Sequence, residues 1–207
     1  MALISVENIA PDVRLALWYI EETTEELLKS DTRLGKVMLS LKPYHCRERL
    51  RDKLVVYELV FLLTGGMPVE IMHLPNGKPS IKGWRISISD TRGYAAVMIS
   101  KNKNVAIDIE YFSNRVMHVS HKFIRPDECA ETTSLQLINW SAKETVYKYF
   151  SEQKLQYFDM RLLPFCLAER GEVGVENLKQ NTTLSVYYRI NSAFVLTYAW
   201  GESGLWE

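Results

Sequence analysis

Three strand-like segments joined by short links constrain the fold of this 207-residue chain more than any other feature. Residues 84–89, 94–100 and 105–111 are rich in β-branched, aromatic and alternating apolar residues, and only Thr91-Arg-Gly93 and Lys101-Asn-Lys-Asn104 separate them. A parallel pairing needs a crossover of a dozen or more residues, and these links are far shorter. The segments therefore predict antiparallel neighbours, with both links joining paired strands.

Helical patterns on both sides of these strands place the chain in the α+β class. Leu50, Leu54, Tyr57 and Phe61 recur at helical spacing and predict the buried stripe of a long helix that ends at Gly65-Gly66. A capping box, Thr23-x-x-Glu26, predicts a short helix before it. Two later helices are predicted at 115–123 and 134–153, and further strands at 13–20, 69–74, 162–169, 183–190 and 193–200.

Composition excludes several functional classes. The 25 Lys and Arg balance the 25 Asp and Glu, so neither nucleic-acid binding nor attraction to an anionic membrane is expected. Cys46, Cys129 and Cys166 are scattered without C-x-x-C spacing, which predicts buried free thiols and no zinc site. The first residues lack a basic region followed by an apolar run, and a cytoplasmic location is expected.

One strand carries two carboxylates on the same face. In 105–110, apolar residues at 105, 107 and 109 alternate with Ala106, Asp108 and Glu110. If the apolar set faces the core, the Cβ atoms of Asp108 and Glu110 lie about 6.6 Å apart on the other face. That spacing suits one divalent cation held between two carboxylates.

A predicted helix supplies a third carboxylate and two lysines. Trp140, Glu144, Tyr147 and Lys148 share one helical face, and Lys143 precedes Glu144. A site built from carboxylate oxygens favours Mg²⁺ bound jointly with substrate phosphates, and the lysines indicate an anionic substrate.

Simpler interpretations of these residues remain open. Acidic residues on an edge strand are commonly just solvated, and Glu144 with Lys148 forms an ordinary helix-surface pair worth a few tenths of a kcal/mol. His118 and His121 are one helical turn apart but have no zincin partner, which favours a solvated or capping role. No G-x-S-x-G elbow is present, so covalent serine catalysis has no support.

Four sequence blocks, in order and spacing, resemble the 4′-phosphopantetheinyl transferase superfamily, in particular its two-lobed surfactin-synthetase-activating type. The blocks are Asn76-Gly-Lys-Pro79, Ile86–Thr91, Ala106–Glu110 and Trp140–Lys148. The resemblance implies two pseudo-equivalent lobes, each an antiparallel sheet packed on a long helix, with the active site in the cleft between them. The boundary would fall near 102–104, which gives lobes at 1–103 and 104–207.

The resemblance also implies roles for the residues of the second lobe. Asp108, Glu110 and Glu144 would bind Mg²⁺, and Lys143 and Lys148 would contact the phosphates of coenzyme A. Glu144, directly or through a water on the metal, would accept a proton, and with Lys148 it forms the implied catalytic pair.

In the first lobe, the resemblance implies contacts with coenzyme A. Lys78 and Pro79 would border the nucleotide pocket, with Ser89 and Asp90 near the phosphates. Arg47 is the best match for the arginine that reaches the 3′-phosphate, although Arg49 and Arg51 lie close in the sequence.

Two positions depart from the family pattern. Asp90 stands where the family commonly has a histidine that contacts the phosphates; a carboxylate there would repel a phosphate by up to about 4 kcal/mol at ~4 Å for an effective dielectric near 20. Ala106 replaces a usual glycine, which an ordinary strand tolerates.

The activity implied by the resemblance is Mg²⁺-dependent transfer of the 4′-phosphopantetheine arm of coenzyme A to a serine of an acyl or peptidyl carrier protein. Carriers of this kind are generally acidic, and Arg115, Lys122 and Arg125 are local basic residues that could face one. The expected state is a monomer. The alternative is a non-catalytic homologue that binds coenzyme A or a carrier protein, and Asp90 is the main argument for it.

Overall fold

The computed structural model describes residues 3–41, 46–67 and 69–202 and has the α+β class expected from the sequence. Its α-helices are α1 (Thr24–Ser30), α2 (Arg33–Ser40), α3 (Arg47–Leu63), α4 (Arg115–Val119) and α5 (Thr133–Tyr149). Its strands are β1 (Leu3–Ala10), β2 (Val13–Tyr19), β3 (Met72–His73), β4 (Pro79–Ser80), β5 (Arg85–Thr91), β6 (Tyr94–Ser100), β7 (Lys103–Tyr111), β8 (Met160–Leu162), β9 (Arg170–Asn177), β10 (Thr182–Ile190) and β11 (Phe194–Glu202).

By its internal contacts the chain divides into two compact units. The first contains the described residues up to Asn104 together with Glu202, and the second is Val105–Gly201. No helix within the described ranges is both long and apolar enough to cross a membrane.

The first unit is built on a four-stranded antiparallel sheet of order β1-β2-β6-β5. Helix α3 packs on the central strands β2 and β6, and its residues from Leu54 to Leu63 are buried apart from Leu62. The helix ends as predicted: Gly65 and Gly66 adopt φ of 75° and 83°, and the Gly66 N–H donates to the carbonyl of Phe61 at 2.7 Å.

The second unit is built on a five-stranded sheet of order β7-β11-β10-β9-β8. The pairs β8–β9, β9–β10 and β10–β11 are antiparallel. Helix α5 packs on β9 and β10, and its buried residues Leu137, Ile138, Ala142 and Val146 join the core of this unit.

One predicted strand pairing is wrong. The link Thr91–Gly93 joins antiparallel neighbours as expected, but β6 and β7 lie in different sheets. A side chain explains the difference: the Asp12 carboxylate accepts from Ser100 Oγ at 3.0 Å, Lys101 N at 3.0 Å and Asn102 N at 2.9 Å. Because Asp12 satisfies these donors, the chain leaves the first sheet instead of turning back along it.

The prediction that the cysteines are buried is wrong, because Cys46, Cys129 and Cys166 are all exposed. Other differences lie in weakly patterned segments. The strand predicted at 162–169 is wrong beyond Leu162, because the chain there is irregular around Pro164, and β9 begins only at Arg170. The strand predicted at 69–74 is reduced to Met72–His73, and β1 and α2 were not predicted. The capping box is confirmed, since Thr23 Oγ1 accepts from Glu26 N at 3.2 Å and Thr23 N donates to Glu26 Oε2 at 2.8 Å.

Candidate functional site

The second unit buries Asp108 at the centre of a polar cluster. Its side chain on β7 is 5% exposed, so the interpretation as a solvated strand residue is wrong. Oδ1 accepts from Lys148 Nζ at 2.7 Å and Oδ2 from Ser141 Oγ at 2.8 Å. Lys148 also donates to the carbonyl of Ile107 at 3.0 Å. The side-chain donors Ser141 and Lys148 both lie on α5, so this helix holds the Asp108 carboxylate.

Behind Asp108, three buried hydroxyl groups connect α5 to β11. The Oγ1 of Thr197 lies 2.8 Å from Ser141 Oγ and 2.7 Å from Thr145 Oγ1. Thr197 also donates to the carbonyl of Ser141 at 2.8 Å. This hydroxyl network, Ser141, Thr145 and Thr197, fixes the helix against the strand beside β7.

Glu110, two residues further along β7, is half-buried. Its Oε1 accepts from Trp140 Nε1 at 2.8 Å. Burial and then the charge of Asp108 raise the pKa of Glu110 to about 7, although the Trp140 hydrogen bond opposes the shift. A cation beside this carboxylate would favour its ionised form, because opposite charge lowers a carboxyl pKa.

Glu144 projects from α5 into the same environment. Its Oε1 accepts from the hydroxyl of Tyr157 at 2.7 Å. Burial is the main cause that raises the pKa of Glu144, with Asp108 adding to it and the Tyr157 hydrogen bond opposing it. The charge of Glu144 in turn raises the pKa of Glu110. The three carboxylates therefore influence one another.

The two donors to the glutamates belong to one aromatic cluster. Trp140 and Tyr157 lie with their ring centroids 5.1 Å apart, and the buried Phe123 packs edge-on to Trp140 at 5.0 Å. The Tyr157 ring is also edge-on to Phe123, at 6.5 Å. Rings packed in this way have few alternative positions, so the indole N–H and phenol O–H are held in place.

The donor chemistry of this cluster fits a hard cation, although the described residues contain no group of three or more His, Cys, Asp or Glu arranged to hold a metal by themselves. Mg²⁺ is usually bound through one or two carboxylates, with substrate phosphates and water completing its shell. Asp108 and Glu110 on β7 and Glu144 on α5 are carboxylates of the kind that could provide such ligands. A phosphate-bearing substrate would have to supply the rest.

Residues 104–199 match the family model of the 4′-phosphopantetheinyl transferase superfamily. The matched stretch contains all three carboxylates, Lys148 and Tyr157, and it supports phosphopantetheinyl transfer as the general activity. No curated protein matches the chain.

The position of Lys143 does not fit the phosphate contact that the superfamily resemblance implied. Its side chain is fully buried, and Nζ donates to the carbonyl of Phe123 at 2.6 Å and to Glu128 Oε2 at 2.8 Å. Glu128 is equally enclosed, and its Oε1 accepts from Leu162 N at 2.7 Å. Burial lowers the pKa of Lys143, and Glu128 opposes that shift. This buried pair joins α5 to the segment 123–128 and to β8. Of the two lysines, only Lys148 has a partly exposed side chain.

The residues predicted to contact coenzyme A in the first unit occupy loop and strand positions. Lys78 follows a turn in which Gly77 has a φ of 84°, and Pro79 begins β4. On β5, Ser89 is buried and Asp90 is exposed, paired in register with Ala96 and Ala95 of β6. Their contacts with a nucleotide remain predictions.

The arginine candidates differ in their surroundings. Arg47 is the first residue of α3 and is exposed, as is Arg49. Arg51 is paired with Asp52 at 2.9 Å. Arg47 therefore remains the preferred candidate, with a charged group at an accessible helix start.

Two cavities open beside the glutamates of the second unit. A cavity of about 270 Å³ next to Glu110 is mostly apolar, lined by Trp140, Leu137, Val116 and Val119 among others. A second, of about 310 Å³, adjoins Glu144 and is lined with it by Tyr147, Leu155, Gln156 and Tyr157. Both glutamates therefore have open space next to them.

Several site residues were not found from the sequence. Ser141 sits inside the helix motif, and Thr197 interrupts the apolar face that Val195 and Ala199 form on β11; a polar residue on such a face was the available signal. Tyr157 lies beyond the helix in an irregular segment, and no periodic pattern marks it.

Proposed function

We propose that this protein transfers 4′-phosphopantetheine from coenzyme A to a serine of an acyl or peptidyl carrier protein in a Mg²⁺-dependent reaction. The observation that carries the proposal is the set Asp108, Glu110 and Glu144 with Lys148, held together within the stretch that matches the superfamily model. The resemblance to the surfactin-synthetase-activating type supports the choice of carrier proteins as substrates.

In this reaction the serine oxygen of the carrier forms a bond to the phosphorus next to the pantetheine arm. The bond from that phosphorus to the bridging pyrophosphate oxygen breaks, and adenosine 3′,5′-bisphosphate leaves with the electron pair. The serine proton passes to Glu144, directly or through a water molecule, because an ionised carboxylate within hydrogen-bond reach can accept it.

The remaining residues stabilise charge. When bound, Mg²⁺ would neutralise the pyrophosphate, and Asp108, Glu110 and Glu144 would hold it. The Lys148 side chain is 27% exposed, so its ammonium can contact both Asp108 and a phosphate at the surface. We assign the nucleotide contacts of the first unit to Arg47, Lys78, Pro79, Ser89 and Asp90.

The test is incubation of the full chain with coenzyme A, Mg²⁺ and a panel of apo acyl and peptidyl carrier proteins. A carrier that gains the mass of one phosphopantetheine supports the proposal. Asp108→Asn and Glu144→Gln are the test variants, which keep the size of the side chain but remove the negative charge and replace one acceptor oxygen with an NH2 donor. Each should lower transfer more than about a hundredfold, because even the loss of an outer-shell partner commonly costs 10–100-fold.

Asp90 favours a second candidate function, a homologue that binds coenzyme A or a carrier without transfer. Its exposed carboxylate stands where the family commonly has a phosphate-contacting histidine. This candidate predicts that calorimetry detects coenzyme A binding while no carrier in the panel gains mass. If the wild type modifies a carrier and Glu144→Gln does not, the non-catalytic candidate is excluded.

A further inference from the structure

We propose that Tyr157 is a positioning residue that holds the Glu144 carboxylate in its metal-binding orientation. The proposal rests on the proposed function, because it concerns the same site. The first step is geometric: the Tyr157 hydroxyl donates to Glu144 Oε1 at 2.7 Å, the length of a well-formed hydrogen bond from a hydroxyl to a carboxylate. A phenol hydroxyl is both a donor and an acceptor, and a carboxylate is only an acceptor, so the proton of this bond belongs to Tyr157.

The second step is that Tyr157 lies on a well-anchored turn. It begins the 3₁₀ turn Tyr157–Asp159, in which Asp159 Oδ2 accepts from Gln156 N at 2.7 Å. Asp159 also pairs with Lys179 at 2.8 Å, and its carbonyl accepts from Leu178 N at 2.9 Å. The turn is thus tied to the connection between β9 and β10, and not only to the end of α5.

The third step concerns what the anchor does for Glu144. A glutamate has three side-chain torsions, and in the metal-free site its carboxylate would otherwise sample several rotamers. The hydroxyl of Tyr157 selects one of them from a point fixed outside the helix. Second partners of this kind orient metal ligands in many sites, and their removal weakens metal affinity.

The fourth step is the link to Glu110. The Tyr157 ring packs on Trp140, with the ring centroids 5.1 Å apart. Trp140 in turn donates to Glu110. Two packed aromatic rings therefore each donate a hydrogen bond to one of the two glutamates. Displacement of either ring would change both ligands.

The experiment is Tyr157→Phe in the full chain, which removes the hydroxyl and keeps the packed ring. Mn²⁺, used in place of Mg²⁺, is titrated with and without saturating coenzyme A, and its free fraction is read by electron paramagnetic resonance against a blank of coenzyme A alone. We expect affinity to fall about tenfold or more. In steady-state assays the apparent KM for Mg²⁺ should rise, whereas the KM for coenzyme A stays near the wild-type value. Tyr19→Phe, an exposed tyrosine of the first unit, is the matched control and should change neither.

The outcomes separate the two proposals. If the wild type binds Mn²⁺ and Tyr157→Phe binds it within about twofold of the wild type, with circular dichroism showing both folded, the positioning role is wrong and the proposed function stands. If the wild type itself binds no Mn²⁺ at millimolar concentration, the metal assignment fails and the positioning role fails with it. If Tyr157→Phe loses Mn²⁺ affinity and Tyr19→Phe does not, the positioning role of Tyr157 is supported.

Discussion

Glu58 on α3 carries a buried carboxyl group outside the proposed site. It is hydrogen bonded to Asp31, and Arg33 binds Asp31 through several short contacts. Burial is the main cause that raises the pKa of Glu58 to about 7, Asp31 adds to it, and Arg33 opposes it. Its Oε2 has no hydrogen-bond partner within the described residues. Burial in this core therefore favours the protonated, neutral form of Glu58.

The pH dependence of stability follows from that shift. Because the folded pKa of Glu58 lies above the ordinary value of 4.5, its contribution is complete below pH 4.5 and is lost as pH rises through about 7. Glu58→Gln should be more stable than the wild type at pH 8 by roughly 1–2 kcal/mol and similar to it at pH 4.5. Thermal unfolding of both proteins across this range measures the difference. A constant difference at all pH values would contradict the assignment.

The two lysines of α5 make a matched pair for separating binding from stability. Lys148→Met should weaken coenzyme A binding about tenfold, because it removes an accessible charge proposed to contact phosphates, and it should also destabilise the fold because buried Asp108 loses its cation. Lys143→Met should lower the free energy of unfolding by about 3 kcal/mol or more without a separate loss of binding, since it leaves Glu128 buried and without its cation. Calorimetric titration and chemical denaturation measure the two effects. Equal effects of both variants on binding would contradict the different roles.

Asp90→His tests the departure from the family pattern. The change exchanges an exposed carboxylate, at the position where the family commonly has a phosphate-contacting histidine, for a side chain that can become positive. We expect tighter coenzyme A binding and faster transfer, with the gain largest at pH 6 and smaller at pH 8, because imidazole loses its charge over that range. Calorimetry and carrier modification at both values measure it. Weaker binding at every pH would show that Asp90 serves an altered ligand.

At the scale of elements, the proposed site depends on how α5 lies against the strands beside it. Its link to β11 is the hydroxyl network, which also holds one oxygen of Asp108 through Ser141. Thr197→Val keeps the shape of the side chain but removes the central hydroxyl. We expect a loss of about 1–3 kcal/mol in the free energy of unfolding, because the hydroxyls of Ser141 and Thr145 lose a buried partner.

The same variant should also lower transfer. Ser141 would reorient without Thr197, and Asp108 would lose part of its support. Chemical denaturation and the carrier assay together test the prediction. Alanine at the exposed Thr183 on the neighbouring strand β10 is the control, and it should leave both quantities unchanged.

At the scale of the molecule, the elements that the sequence predicted well share strong local signals. The stripe of α3, the capping box at Thr23 and strands such as β6 follow from periodicity and end signals, and these agree with the structure. The placement of β6 and β7 in different sheets could not be predicted, because it depends on Asp12, which is far away in the sequence. Edge strand β1 has too mixed a pattern to be recognised.

The site divides in the same way. Local motifs predicted Asp108, Glu110 and Glu144 as candidate metal ligands, since they lie on regular elements with a clear polar face. Whether a lysine of α5 is buried or accessible depends on what packs around it, so Lys143 and Lys148 could not be distinguished from the sequence. Tyr157 depends on a tertiary contact from an irregular turn, which no local pattern encodes.

The hydroxyl network also offers an observable that leaves the site untouched. Hydroxyl protons exposed to water exchange too fast to be seen by nuclear magnetic resonance, but those of Thr145 and Thr197 are enclosed, and both residues are fully buried. Slow exchange would give each a separate proton resonance. Because the network ends on Asp108, a ligand that changes the charge at that carboxylate should shift these resonances in the unmodified protein.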